Sequence, residues 1–105
     1  MTINKLEKHQ LLLMKESVAL YENQPSSLEN LVTLTQSLEK SINSLKTIDN
    51  DWKEAFRTEW WELEFTSSLM IDNEVDQLSE EDEEAVSIAI KNMKKMLDQA
   101  LETFH

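Results

Sequence analysis

The chain has no cysteine, no glycine, one proline and one arginine. Without cysteine it has no disulfide, thiol nucleophile, zinc ribbon or thiolate-held cluster, and a reducing cytoplasm suits it. Without glycine it lacks the phosphate-cradling loops that need close backbone approach or positive φ, so nucleotide-binding enzymes of those classes drop out. Ser-His-Asp hydrolases that mount the nucleophile on a glycine elbow become improbable for the same reason. Long apolar runs are missing too. The longest early one, residues 11–14, is flanked by Lys8, His9, Lys15 and Glu16. A signal peptide needs about 7–15 apolar residues and a spanning helix about 20. With no lipidation motif at either end, the expectation is a cytoplasmic protein that does not enter a membrane.

The chain consists of 105 residues and 12.3 kDa, within the range of a single domain spanning 1–105. A compact fold of that size buries roughly 65% of the unfolded surface, enough for a core without staples. Ten Lys and Arg stand against 21 Asp and Glu, a net charge of −11 and a pI near 4.5. A field of that sign repels nucleic acid and anionic membrane and attracts a basic protein.

Helical punctuation divides the chain into four segments. Pro25 must end the first, giving a helix over about residues 2–22 with Ile3, Leu6, Leu13, Met14, Val18, Leu20 and Tyr21 on its core side and Leu12 opposite. Ser26 to Glu29 has the spacing of a capping box and opens a helix over about 27–48. Its stripe is Leu28, Leu31, Leu34, Leu38, Ile42, Leu45 and Ile48. Asp49, Asn50 and Asp51 offer caps for a third helix over about 51–71, with box spacing from Asp51 to Glu54. Ser79 caps a fourth over about 80–104, whose Val86, Ala89, Ile90, Met93, Leu97, Ala100, Leu101 and Phe104 share one arc away from Lys91, Lys94 and Lys95. No period-two run suggests a strand. The expected fold is all-α, a small up-down bundle of about four helices.

The negative charge is concentrated in one segment. Residues 1–48 are neutral and 85–105 carry +1. Residues 49–64 hold six acids against Lys53 and Arg57, and 72–84 hold eight against no base, so the two together carry −12. Acids in a first helical turn offset the macrodipole, which accounts for two or three of Glu80, Glu81, Asp82, Glu83 and Glu84. Five in a row, preceded by Asp72, Glu74 and Asp76, exceed that need and repel one another, which suggests a docking surface. Asp72, Glu74, Asp76, Glu80 and Glu83 also occupy positions 1, 3, 5, 9 and 12 of a calcium loop. Gln77 replaces the turn glycine and Ser79 the apolar position, so calcium binding is the weaker alternative. No pair of carboxylates is singled out for acid–base catalysis, and His9 and His105 lack ligand spacing and read as surface residues. Neither a cofactor nor a metal is implied.

The third helix carries Trp52, Phe56, Trp60, Trp61 and Phe65. Trp52, Phe56, Trp60, Leu63 and Met70 form one stripe, and Trp61, Phe65 and Leu69 lie roughly opposite. A helix buried on both sides is the simpler account; the sharper one exposes Trp61 or Phe65 as an interface anchor. Glu59 falls on the apolar side of this wheel and would need a partner if buried, with Arg57 pointing elsewhere.

Trp52, Phe56, Arg57, Glu59, Trp60, Trp61, Leu63 and Glu64 make the pattern Trp-x-x-x-Phe-Arg-x-Glu-Trp-Trp-x-Leu-Glu, followed by Leu78, Ser79, Glu80, Glu81 and Asp82. Over roughly residues 26–104 this resembles the small acidic helical immunity proteins encoded beside polymorphic toxins, including contact-dependent growth inhibition systems. The resemblance implies a non-catalytic protein that binds a cognate toxin domain, commonly a basic nuclease, and occludes its active site. On charge grounds we assign steering to Asp72, Glu74, Asp76 and residues 80–84, with Trp61, Glu62 and Glu64 as anchors. Arg57, Glu59 and Trp60 are expected to be structural. The competing readings are a calcium-binding bundle and an adaptor, monomeric or a weak homodimer through Trp61 and Phe65.

Overall fold

The computed structural model describes residues 5–102. Four helices follow in order: α1 (Lys5–Glu22), α2 (Leu28–Ser44), α3 (Asn50–Asp72) and α4 (Glu80–Glu102). Each packs on its sequence neighbour and α4 returns to α1, closing an all-α up-down four-helix bundle. None of the described helices is long and apolar enough to cross a membrane.

The core is the seam where the four apolar stripes meet. Phe56, Leu63 and Met70 of α3 face Leu31, Leu34, Leu38 and Ile42 of α2 and Val86, Ala89, Ile90, Met93, Leu97 and Ala100 of α4, all buried. Two indoles lock α3 between its neighbours: Trp52 Nε1 donates to the Met96 carbonyl at 3.2 Å and Trp60 Nε1 to the Thr35 carbonyl at 2.9 Å. Trp52 stacks on Phe56 with ring centroids 5.0 Å apart. Each tryptophan thus packs part of its apolar body against the core while its one donor is satisfied.

The first helix is rotated from its expected setting. Its buried row is Glu7, Leu11, Met14, Val18 and Tyr21, whereas Leu6 and Leu20 are exposed, as is the edge of Leu13, and Ile3 lies outside the described residues. Leucines surround this helix, so no direction dominates its wheel. The seam is set by neighbours, because α1 touches only α2 and α4 and a narrow row at spacings of three and four suffices.

The second helix stops at Ser44, short of the expected 48. Leu45 leaves helical geometry, yet Leu45 and Ile48 stay buried, so their period continues through an extended loop. Glu7, 4% exposed, explains the break: its carboxylate accepts from Lys46 N, from Thr47 N at 2.7 Å and from the Thr47 hydroxyl. Lys53 Nζ takes the Leu45 carbonyl at 2.8 Å. A carboxylate from α1 therefore substitutes for the carbonyls that a longer α2 would have offered.

Caps shift by small steps. Ser27, not Ser26, caps α2, accepting from Asn30 N at 3.2 Å, because Leu28 N is drawn to the Asp76 carbonyl at 2.8 Å. Asp51 lies inside the first turn of α3 instead of capping it, and Asp49 is the N-cap residue. Ser79 caps α4 as expected, accepting from Asp82 N at 3.1 Å.

Candidate interaction surface

The end of the bundle formed by residues 72–84 is built around a tight helix stop. Val75 N donates to the Met70 carbonyl at 2.9 Å and Glu74 N to that of Ile71 at 3.2 Å, the paired bonds of a Schellman motif. That motif needs a left-handed residue, normally glycine, and here Glu74 adopts it with φ of 55°. The chain then pairs Gln77 with Ser27 in an isolated bridge. The acidic loop is thereby anchored to the start of α2, which adds Glu29 to the same end.

The acids at this end do not form a single face. Asp72, Glu74, Asp76, Glu80, Glu81, Glu83 and Glu84 are exposed and Asp82 is half-buried. Glu83 turns towards α1, lining a cleft with Tyr21, Ser26 and Ser87. Asp72 is eleven residues beyond Trp61 on the same helix, a separation of about 16 Å along the axis and about 20° around it. Asp72 therefore shares the outer face of Trp61, and the acids of α4 belong to other directions.

Trp61 and Phe65 are each 60% exposed and Leu69 is 43% exposed. This overturns the simpler expectation of a helix buried on both sides. The bundle gives α3 two neighbours, α2 and α4, and Trp60 and Trp52 already fill those contacts, so the opposite stripe has nothing to pack on. Trp61 lies edge-on to Trp60, centroids 5.2 Å apart, beside Glu39, Asn43 and Arg57. Glu62 is exposed on one flank of this ridge, at about 100° from Trp61, and half-buried Glu64 lies on the other at about 60°. The candidate anchors Trp61, Glu62 and Glu64 thus share one outer surface with Asp72. Phe65 and Leu69 complete it; their place in the second stripe was the signal for them.

The residues expected to be structural do tie helices together. Arg57 donates to Asn43 Oδ1 at 3.0 Å, and half-exposed Glu59 accepts from Asn92 Nδ2 at 3.3 Å, which answers the question of its partner without Arg57. His9 is exposed, and His105 lies outside the described residues. Asp72, Glu74, Asp76, Glu80 and Glu83 do not converge: among the described residues no three acidic or histidine side chains could hold a metal ion.

Two features carry no signal in the local sequence pattern. Glu7 is the only buried carboxylate among the described residues, and only its loop partners, forty positions away, give it meaning. The Tyr21 residue is 7% exposed, and its hydroxyl is buried with no hydrogen-bond partner. Burial pushes its pKa up, Ser26 nearby opposes this without reaching hydrogen-bond geometry, and the Glu83 carboxylate adds to the rise. Comparisons with known protein families, curated proteins and solved structures find no match for this chain.

Proposed function

We propose that the protein is an immunity protein, a non-catalytic inhibitor that binds a cognate basic toxin domain, a nuclease, in the cytoplasm and occludes its active site. The observation that carries this reading is the ridge of Trp61 and Phe65, unburied by its own fold and rimmed by Glu62, Glu64 and Asp72. An exposed tryptophan with an acidic rim complements an apolar pocket ringed by lysine and arginine. A second copy of the chain would set like charges face to face, which favours a foreign partner over a homodimer. The acids of residues 72–84 extend the field beyond the contact and accelerate encounter with a cationic domain. Carboxylates there can occupy positions where a nuclease would hold substrate phosphates. The buried carboxylate Glu7 is engaged in holding a loop, which agrees with a role outside catalysis.

The test is capture of the C-terminal domain of a large exported protein encoded next to this chain, followed by titration of that domain's nuclease activity. One-to-one capture with loss of activity is expected. Trp61→Ala should weaken binding at least about thirtyfold, as a hot-spot tryptophan does. Joint neutralisation of Asp72, Glu74, Asp76, Glu80 and Glu81 should slow association and flatten its salt dependence. Capture that leaves the activity intact, or Trp61→Ala binding as the parent does, overturns the reading.

A further inference from the structure

We infer that the cleft between the end of α1 and the first turns of α4 receives an arginine side chain of a protein partner. This cleft has a volume of about 210 Å³. Buried Val86 and Ile90 contribute an apolar part of its lining, and Ser26, Ser87 and the Glu83 side chain a polar part. The apolar lining suits the aliphatic stem of a long cationic side chain, and the polar lining suits its charged head.

The Tyr21 hydroxyl makes this more than an acidic patch. It belongs to a residue more than nine-tenths buried, it has no partner, and the groups acting on it, Ser26 and Glu83, line the same cleft. A buried hydroxyl that its own chain leaves without a hydrogen bond can take a partner supplied from outside. A neutral tyrosine can accept from a guanidinium while donating to Glu83. Glu22, also on the cleft, is held by Lys94 at 3.0 Å, whereas Glu83 makes no ion pair among the described residues and is free to meet an incoming charge. Several acceptors around one cleft favour the planar five-donor guanidinium over the compact ammonium of lysine.

The inference depends on the immunity reading only for which protein carries the arginine. Its test is an NMR titration of the intact chain with N-acetyl-arginine amide, compared with the lysine analogue and with the neutral citrulline analogue. Saturable shifts confined to Tyr21, Ser26, Glu83 and Ser87 are expected with arginine, weaker ones with lysine and none with citrulline. Tyr21→Phe keeps the ring in the core and should weaken arginine binding roughly tenfold, as should Glu83→Gln. Diffuse non-saturating shifts, an equal response to all three probes, or unchanged affinity in Tyr21→Phe overturns the cleft. If arginine leaves the cleft silent while the toxin domain is still captured, the cleft is wrong and the immunity reading stands. Arginine binding without toxin capture does the reverse.

Discussion

Removing the Glu7 carboxylate should destabilise this protein more than any other single change of a charged side chain. It is 4% exposed and accepts from two backbone amides and one hydroxyl of the loop between α2 and α3. Hydrogen bonds to a charged group contribute about 1.5–3 kcal/mol each when fully buried. Lys46 and Thr47 are themselves exposed, so water can replace part of what Glu7→Ala removes. Alanine also returns a few tenths of a kcal/mol in helix propensity. The net loss is about 2–4 kcal/mol, against a total stability of about 5–15 kcal/mol for a chain of this size. Urea unfolding followed by the fluorescence of Trp52 and Trp60 reads it directly, with a fall in melting temperature of about 10–20 °C. Glu7→Gln keeps one acceptor oxygen and should lose about half as much. Hydrogen exchange should speed up at Lys46 and Thr47 in Glu7→Ala. A loss within about 0.5 kcal/mol, the range of an ordinary surface substitution, would refute the role assigned to this carboxylate.

The two adjacent tryptophans should separate by function. Trp60→Ala removes a packed ring and its bond to Thr35 and should cost about 2–4 kcal/mol, whereas Trp61→Ala loses the edge contact with Trp60 and its place beside Glu39, Asn43 and Arg57 and should cost about 1 kcal/mol; equal losses by chemical denaturation would contradict their placement. Glu74→Gly relieves a left-handed backbone and should stabilise the fold by about 1 kcal/mol, and a destabilised variant would count against the Schellman stop. Because the Tyr21 pKa is raised by folding, the unfolded chain releases its proton first, so this residue leaves stability flat below about pH 10 and lowers it as pH rises further. In Tyr21→Phe that alkaline decline should be shallower in unfolding experiments across pH 9–11, and an unchanged slope would dismiss the tyrosine as its source.

Local chemistry was sufficient for the elements that depend on it. The stripe of α4 from Val86 to Ala100, the stop at Pro25 and the Ser79 cap lie where spacing and side-chain type put them, because each is decided within one or two helical turns; Phe104, the last residue of that expected stripe, lies outside the described residues. The −12 segment and the two opposed aromatic stripes of α3 were likewise legible as pattern. Tertiary structure decided which pattern faces inward. The leucines around α1 left its wheel without a preferred direction until α2 and α4 selected the row from Glu7 to Tyr21. Leu45 and Ile48 kept a helical period in a segment that Glu7 draws out of the helix. Trp61 and Phe65 became surface because a ring of four helices gives α3 only two neighbours. Burial is a property of what lies opposite a side chain. Composition and period settle the helices, and only their mutual placement settles which apolar rows stay exposed and which hydroxyl is buried without a hydrogen bond.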